Sequence, residues 1–318
     1  MSKQTRYAVL GIAFGYNDLN LFPFLKSLER TGYNGDLILF TNRNTRPSGL
    51  IQYGYNIIYY NIDGQLSWTG MLHRWLAFFI SRLGLQRWWK DRHKKGMLLR
   101  LEKQQPLSVW QLAFAFHNCY LTVSRFFFYY NWLLQHSYEQ VFFTDVNDVV
   151  FQENVFREGQ QGMVQAFEEC DRVKLGTDPN NSGWIAAGFA PEVLQDMEQA
   201  VIYCAGTILS DKSTGITFLR DFCRELLSGS KPLDMNGFDQ GVYNYMVSYA
   251  KQPYFSSSVN GALVFTVATH PPAEILIRDG KIVAKEMETV PAVIHQYNRH
   301  KKLVDFITGE YLEYKGCG

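Results

Sequence analysis

The sequence predicts an α/β protein with a mainly parallel sheet, because short apolar runs alternate with helical patterns. The chain has 318 residues, 47% of them hydrophobic and 19% charged, which is enough to bury a large core. Tyr7–Ala13, Asp36–Phe40 and Asn56–Tyr60 are apolar runs of strand length, and a helical face between the first two ends at Gly32. Strands that alternate with helices form sheets covered on both faces, with ligands beyond the carboxyl ends of the strands.

The same alternation continues to the end of the chain. The pattern predicts a long helical region from Leu107 to about Gln135. Further strands are predicted at 141–144, 201–210 and 292–295, a helix at 219–227, and a hairpin whose Asp279-Gly280 turn joins 274–277 to 281–284.

Charge and cysteine content exclude several classes of protein. The net charge of +1 gives no general attraction to nucleic acid, so we expect no nucleic-acid partner. Five scattered cysteines without a C-x-x-C pair are typical of a reduced, cytoplasmic protein. The apolar stretch near the N-terminus is too short for a signal peptide, and no apolar run approaches the length of a membrane span. We therefore expect a cytoplasmic protein that at most lies peripherally on the inner face of the membrane.

Residues 64–106 interrupt the alternation and are predicted to be an insertion of one or two amphipathic helices. Between Arg74 and Lys103 there are nine basic and two acidic residues, a local charge of +7 on a chain whose remainder carries −6. Six aromatic residues lie in the same insertion: Trp68, Trp75, Phe78, Phe79, Trp88 and Trp89. Basic and aromatic residues together favour docking on an anionic membrane. The alternative is a packed helical flap or lid with a solvated basic face.

The strongest chemical signal is the acidic pair in the stretch FFTDVNDVVF. Asp145 and Asp148 come directly after an apolar strand and are followed by three more apolar residues. Carboxylates at the end of a strand can bind Mg²⁺ or Mn²⁺, which take oxygen ligands. Asp148 is assigned to the metal, and Asp145 to the metal or a ribose. The alternative is a solvated acidic turn.

Other residues have both a functional and a structural interpretation. Asp239, before Gln240 at a predicted helix start, either contacts a reacting group or caps the helix. The small residues Cys204 and Gly206 allow a close approach, either of a ligand or of another part of the sheet. Arg125 lies at the start of a very apolar helix, where its charge needs either an anionic ligand or a buried carboxylate.

These stretches resemble, in order, the GT-A-fold glycosyltransferases that use nucleotide sugars. The acidic pair resembles their Asp-x-Asp metal motif, although D-x-x-D replaces D-x-D, so which Asp contacts the metal stays open. The other similar stretches are the donor-loop-like Gly11–Asn17, Ile202–Ile208 (IYCAGTI), Gly237–Tyr245 (GFDQGVYNY) and Ala292–His300 (AVIHQYNRH). The Asp-Gln-Gly stretch and the C-terminal His are similar to those of glycogenin-like retaining enzymes. The insertion has no counterpart in this pattern.

The resemblance implies a GT-A fold, Rossmann-like with a mixed, mainly parallel sheet flanked by helices, in a single domain over 1–318. It implies that Mn²⁺ or Mg²⁺ is held by Asp145, Asp148 and His295, where His300 is a weaker rival and a buried structural role is the alternative for His295. The implied site residues are Phe14, Gly15, Tyr16, Arg125 and Asp145 for the donor, Cys204 and Gly206 for the acceptor, and Asp239 and Gln240 for catalysis.

The expected function is therefore metal-dependent transfer of a sugar from a UDP- or GDP-linked donor to a glycan or lipid-linked glycan, with retention favoured. Such an enzyme would serve polysaccharide biosynthesis. A nucleotidyltransferase of the same architecture is one alternative, although LGIAFGYND lacks the basic residues of its phosphate loop. A non-catalytic carbohydrate- or membrane-binding module is the other.

Overall fold

A mixed sheet of seven strands organises the chain in the computed structural model, which describes residues 7–45, 52–156 and 161–312. The strands of this sheet are β1 (Tyr7–Ile12), β2 (Asp36–Thr41), β3 (Asn56–Asn61), β4 (Gln140–Thr144), β6 (Val164–Lys174), β7 (Val201–Asp211) and β8 (Phe255–Ser258). Their order is β3-β2-β1-β4-β7-β6-β8. β7 is antiparallel to both of its neighbours, and the other pairs are parallel. The predicted α/β class is confirmed.

Helices cover both faces of this sheet. They are α1 (Asp18–Arg30), α2 (Ile62–Arg82), α3 (Gln86–Glu102), α4 (Val109–Asn118), α5 (Leu121–Gln135), α6 (Pro179–Gly188), α7 (Pro191–Asp196), α8 (Lys212–Leu227), α9 (Phe238–Asn244) and α10 (Lys301–Ile307). On one face α5 and α8 build an aromatic-rich core, and on the other α1 packs against β5 (Val149–Phe151). None of the helices in the described ranges has the length and apolar character that crossing a bilayer requires.

The loops after β1 and β4 lie side by side because these two strands are parallel neighbours at the centre of the sheet. Gly11 is paired with Thr144, so both strands end at the same edge. A Cβ atom on Gly11 would lie 3.2 Å from the Thr144 carbonyl oxygen and would overlap the Val146 side chain. Glycine at this position therefore lets the acidic loop fold back over the end of β1.

A second, three-stranded sheet brings the C-terminal part of the chain to this edge. It consists of β5, β9 (Val264–Thr266) and β12 (Val293–His295), in the order β5-β12-β9. In the antiparallel β5–β12 pair His295 is opposite Val149, the residue that follows Asp148. The acidic pair and His295, which are far apart in sequence, are thereby joined by backbone pairing. β10 (Ile275–Arg278) and β11 (Lys281–Ala284) form the predicted hairpin.

The structure refines two sequence predictions, the helical region at 107–135 and the insertion at 64–106. The long helical region predicted from Leu107 to Gln135 is confirmed but consists of two helices, because Cys119 is extended and the Tyr120 N–H donates to the Leu233 carbonyl at 2.7 Å. This tertiary hydrogen bond separates α4 from α5. The predicted insertion contains two helices, α2 and α3, and α2 starts at Ile62, two residues before the predicted boundary.

Candidate metal centre

Three possible metal ligands converge at the carboxyl edge of the main sheet. Asp145 and Asp148 lie in the loop between β4 and β5, and His295 ends β12. The His295 Nε2 atom is 3.5 Å from Asp145 Oδ2 and 3.9 Å from Asp148 Oδ1. One ligand atom of each residue lies within 4.8 Å of the others. Two carboxylates and an imidazole are a donor set suited to a divalent cation.

The surroundings of His295 leave one of its ring nitrogens free for a ligand. The ring is fully buried, and Nδ1 lies 3.3 Å from Thr266 Oγ1 and 3.5 Å from Cys204 Sγ. Nε2, which points to the carboxylates, has no hydrogen-bond partner among the described residues. With a proton on Nδ1 alone, the Nε2 lone pair would face Asp145 and Asp148, and a bound cation would replace the Nε2 proton that these carboxylates otherwise favour. A buried nitrogen without a partner fits a metal ligand better than a structural histidine.

A buried arginine neutralises part of the charge of the centre. Arg125, on α5, donates to Asp145 Oδ1, to Asp239 Oδ2 at 2.9 Å and to the Ala205 carbonyl oxygen at 3.0 Å. Its side chain is 4% exposed. Since the guanidinium already has two carboxylate partners, the ion-pair alternative is the one observed. Its predicted contact with a donor diphosphate stays a prediction.

The two carboxylates have opposite pKa shifts because their neighbours differ. Burial alone would raise the pKa of Asp145, but Arg125 and His295 outweigh it and hold the pKa at about 2. Burial raises the pKa of Asp148, and repulsion from Asp145 adds to this against the attraction of His295. Burial would also lower the pKa of His295, but Cys204 and the carboxylates raise it well above its usual value. Asp145 is thus held as an anion by its neighbours. Asp148 lacks a comparably strong cationic partner, and a bound cation would supply one.

Gly206, on β7, explains how Asp145 and His295 come so close. The Asp145 N–H donates to the Gly206 carbonyl oxygen at 2.7 Å. A Cβ atom on Gly206 would lie 3.1 Å from His295 Cε1 and would overlap the Asp145 carboxylate. The close approach that we expected at this glycine is therefore made by the metal-centre side chains. The acceptor role of Cys204 and Gly206 stays a prediction.

Asp239 is buried and does not cap its helix. Asp239 lies in the first turn of α9, but the N-cap residue is Gly237, and no side chain makes a cap hydrogen bond there. Asp239 Oδ1 instead accepts from the Thr122 hydroxyl at 2.6 Å, and Oδ2 accepts from Arg125. The capping alternative is therefore wrong. Asp239 is joined to the metal centre through Arg125, and its predicted catalytic role stays a prediction.

Gln240 connects the centre to two residues that sequence reasoning missed. Its amide nitrogen donates to Glu169 Oε2 at 3.0 Å and to Asn181 Oδ1 at 3.4 Å, and its oxygen accepts from the Ala205 N–H at 3.3 Å. Glu169 and Asn181 are both buried, and burial raises the pKa of Glu169. One of three acids in β6 and an Asn in a first helical turn carry no sequence signal of such a network.

The predicted donor loop lies beside the acidic pair. Phe14 packs edge-on against Phe116 of α4 with ring centroids 5.7 Å apart. Gly15 has a φ of +75°, and its N–H donates to Asn42 Oδ1 at 3.0 Å. The pKa of Tyr16 is raised by burial and by the nearby charges of Asp145 and Asp148. The loop that carries Tyr16 lies beside the acidic loop because it follows β1, which pairs with β4 up to Gly11 and Thr144.

His300 is not part of this centre, since its Nε2 atom lies 2.7 Å from the Val267 carbonyl oxygen. Within the described ranges, Asp145, Asp148 and His295 are the one group of three or more His, Cys, Asp or Glu residues close enough to hold a metal ion. No protein-family model matches the chain, and no curated protein matches it significantly. The function must therefore be inferred from this geometry.

Proposed function

We propose that the protein is a metal-dependent glycosyltransferase of GT-A type that uses a nucleotide-diphosphate sugar. The observation that carries the proposal is the convergence of Asp145, Asp148 and the unpartnered Nε2 of His295 at the carboxyl edge of a mixed sheet. Ligands of α/β proteins bind at this edge. The order of motifs along the chain, similar to that of glycogenin-like enzymes, supports the same function.

Asp145, Asp148 and His295 would hold Mn²⁺ or Mg²⁺, which when bound neutralises the negative charge of a diphosphate leaving group. Arg125 keeps Asp145 ionised and oriented, so that the ligand oxygen Oδ2 faces His295. Buried Thr266 and Cys204 hold the imidazole from its other side. These contacts fix the side chains before any ligand binds, which reduces the reorganisation needed for binding.

The donor would lie between the acidic loop and the loop after β1. Phe14 and Tyr16, both partly exposed, would offer aromatic surface to a uracil or guanine base, and no atom lies within 4 Å of a Cβ placed on Gly15. Asp239, which accepts from Arg125, and Gln240, which accepts from the Ala205 N–H, would orient the acceptor or stabilise positive charge at the anomeric carbon. Retention of configuration belongs to this proposal through the Asp-Gln-Gly similarity.

The test is a panel of UDP- and GDP-sugars, with release of the nucleoside diphosphate measured in Mn²⁺, in Mg²⁺ and after chelation. We expect at least one donor to be hydrolysed slowly in Mn²⁺ or Mg²⁺, and not after chelation. Asp148→Ala should lower this rate by about 100-fold or more while the variant stays folded. Asp305→Ala, which removes an exposed carboxylate paired with Lys301, is the matched control and should keep the wild-type rate.

Turnover that survives chelation, or an Asp148→Ala variant with wild-type activity, would contradict the proposal. Release of pyrophosphate from a nucleoside triphosphate and a sugar phosphate would instead show a nucleotidyltransferase. Binding of glycans without any hydrolysis of the panel would favour a carbohydrate-binding module.

A further inference from the structure

The helix α2 exposes a continuous apolar stripe. Its members recur at intervals of three or four residues, so they share one face of the helix: Trp68, Met71, Leu72, Trp75, Phe78 and Phe79. Trp68 is 78% exposed and Trp75 is 63% exposed. Ten of the 19 exposed large hydrophobic side chains in the described ranges lie between Trp68 and Leu99. Exposed apolar patches of this kind mark interaction surfaces.

The opposite face of α2 is already packed, so the stripe is not the core face of a displaced helix. Ile62, Leu66, Gly70 and His73 recur at the complementary positions and are buried. They face α4, where the His73 ring lies 5.8 Å from that of His117. α2 thus has one apolar face in the protein and a second apolar face in solvent.

The charge of the same two helices identifies the partner. Seven basic residues of this segment are exposed: Arg74, Arg82, Arg87, Lys90, Arg92, Lys95 and Lys103. The Arg82 guanidinium lies 4.8 Å from the ring centroid of Phe78, and the Arg92 guanidinium lies 5.8 Å from that of Trp88. Cations beside exposed aromatic rings suit the boundary where acyl chains meet anionic headgroups. A protein partner would need an unusually acidic and apolar surface to match both features.

The geometry of α2 fits binding in the plane of a membrane. The helix has 21 residues and is roughly 30 Å long, yet its packed face leaves no route across a bilayer. A shallow cavity of about 480 Å³ lies beside the stripe, lined by Trp68, Trp75 and Trp110 among others. Such a depression between aromatic rings can accept part of an acyl chain.

We propose that α2 and α3 anchor the protein peripherally on an anionic lipid surface, with the α2 stripe inserted into the acyl–headgroup boundary. Seven exposed cations attract the surface, and the Trp and Phe side chains insert once contact is made. The helix α4 packs on α2, and Phe116 of α4 contacts Phe14 in the loop beside the metal centre. The anchored surface is therefore connected by direct packing to the candidate site. The proposal does not depend on which reaction that site performs.

The experiment is flotation of the full chain with vesicles of phosphatidylcholine alone, or of phosphatidylglycerol and phosphatidylcholine in a ratio of about 1:2. It is done in about 0.05 M and about 0.5 M KCl. We expect flotation with the anionic vesicles at low salt, much less at high salt, and little with neutral vesicles. Brominated lipids should quench the tryptophan emission of the bound protein, and Trp68→Phe/Trp75→Phe should reduce the quenching.

Two variants with matched controls separate the two contributions. Trp68→Ser/Trp75→Ser/Phe79→Ser should weaken binding by about 100-fold or more, whereas Leu19→Ser/Met163→Ser/Val259→Ser, at exposed positions elsewhere, should not. Arg87→Gln/Lys90→Gln/Lys95→Gln should weaken binding by roughly 100-fold, whereas Arg278→Gln/Lys301→Gln/Lys302→Gln should change it far less.

Several outcomes would overturn the proposal. If the wild type stays unbound with anionic vesicles at low salt, the stripe serves a protein contact, such as a lid over the acceptor cleft. If the wild type sediments as a dimer that the triple aromatic variant abolishes, the stripe is a contact between copies. Equal binding to neutral and anionic vesicles would exclude the anionic surface as the partner.

Discussion

The metal centre and the α2–α3 pair depart from the usual distribution of residues in opposite directions. The centre buries charge, because Arg125 and Asp239 are each only 4% exposed and are ion-paired. The helical pair exposes apolar surface, because aromatic side chains of α2 lie in solvent while their charged neighbours surround them. Both arrangements cost stability in the isolated protein, since desolvated ions and hydrated aromatic rings are unfavourable.

The difference between the two regions lies in what would complete them. In the centre, Arg125 pairs with Asp145 and Asp239, while the buried His295 Nε2 atom, which faces the carboxylates, has no hydrogen bond among the described residues. The six side chains of the α2 stripe are between 42% and 78% exposed, and the ring contacts of Trp75, Phe78 and Phe79 in the described ranges are with one another and with Arg82. A small cation would complete the first region, whereas only an extended surface would complete the second. Substitutions in the centre should therefore cost much more stability than substitutions in the stripe.

Arg125→Ala should have the largest effect, because it leaves the buried Asp239 and the partly buried Asp145 without their shared cation. We expect the free energy of unfolding to fall by about 3–5 kcal/mol in urea titrations at neutral pH. Lys301→Ala removes an exposed ion pair with Asp305 and should change it by less than about 0.5 kcal/mol. Equal effects of the two variants would show that the Arg125 network does not stabilise the fold.

Gly206→Ala should come next. The added Cβ would press against Asp145 and His295, so we expect a loss of about 1–3 kcal/mol and weaker binding of Mn²⁺. Gly183→Ala is the matched control, because nothing lies within 4 Å of its added Cβ in α6. That variant should be neutral or stabilising through helix propensity. A stable Gly206→Ala with normal Mn²⁺ affinity would contradict the close packing described here.

Acid should weaken the α2–α4 interface to a smaller extent. Burial, together with His93 and His117, lowers the pKa of His73 to about 4. Since an unfolded histidine titrates near 6.5, the unfolded state binds more protons between about pH 6.5 and 4. Stability should therefore fall as the pH drops through this window and be fully present above it. His73→Phe should have a flatter stability–pH profile in thermal melts, and an unchanged profile would contradict the assignment.

Trp75→Ser should have the smallest effect on stability, because its side chain is 63% exposed. We expect the free energy of unfolding to change by less than about 0.5 kcal/mol. Phe126→Ala, on fully buried α5 surface, should cost about 3–5 kcal/mol. A large loss in Trp75→Ser would show that the stripe packs inside the protein, and the contrast between the two regions would then disappear.

The sequence predicted the parts of this architecture that depend on local pattern. Apolar runs located β1, β2, β3 and β4, and D-x-x-D located the acidic loop, because strand periodicity and charge after a buried run are local signals. His295 was predicted as a ligand only through family resemblance. Its position depends on the β5–β12 pairing, which joins segments more than 140 residues apart.

The parts that could not be predicted depend on tertiary contacts. The break between α4 and α5 has no Gly or Pro and is made by a hydrogen bond from Tyr120 to Leu233. The partners of Arg125 come from the loop after β4, from β7 and from the first turn of α9. Glu169 and Asn181 gain their roles only from Gln240, which lies on a third element. The periodicity of a single segment carries no information about such tertiary contacts.

The most direct test of the metal centre is a titration of the purified protein with Mn²⁺ alone, followed by the electron paramagnetic resonance signal of free Mn²⁺. We predict one site per chain, with affinity lowered about 10- to 100-fold in both Asp148→Asn and His295→Gln and unchanged in Asp305→Asn. If wild-type protein takes up no Mn²⁺, or if Asp148→Asn and His295→Gln bind it as tightly as the wild type, then Asp145, Asp148 and His295 do not form a metal site.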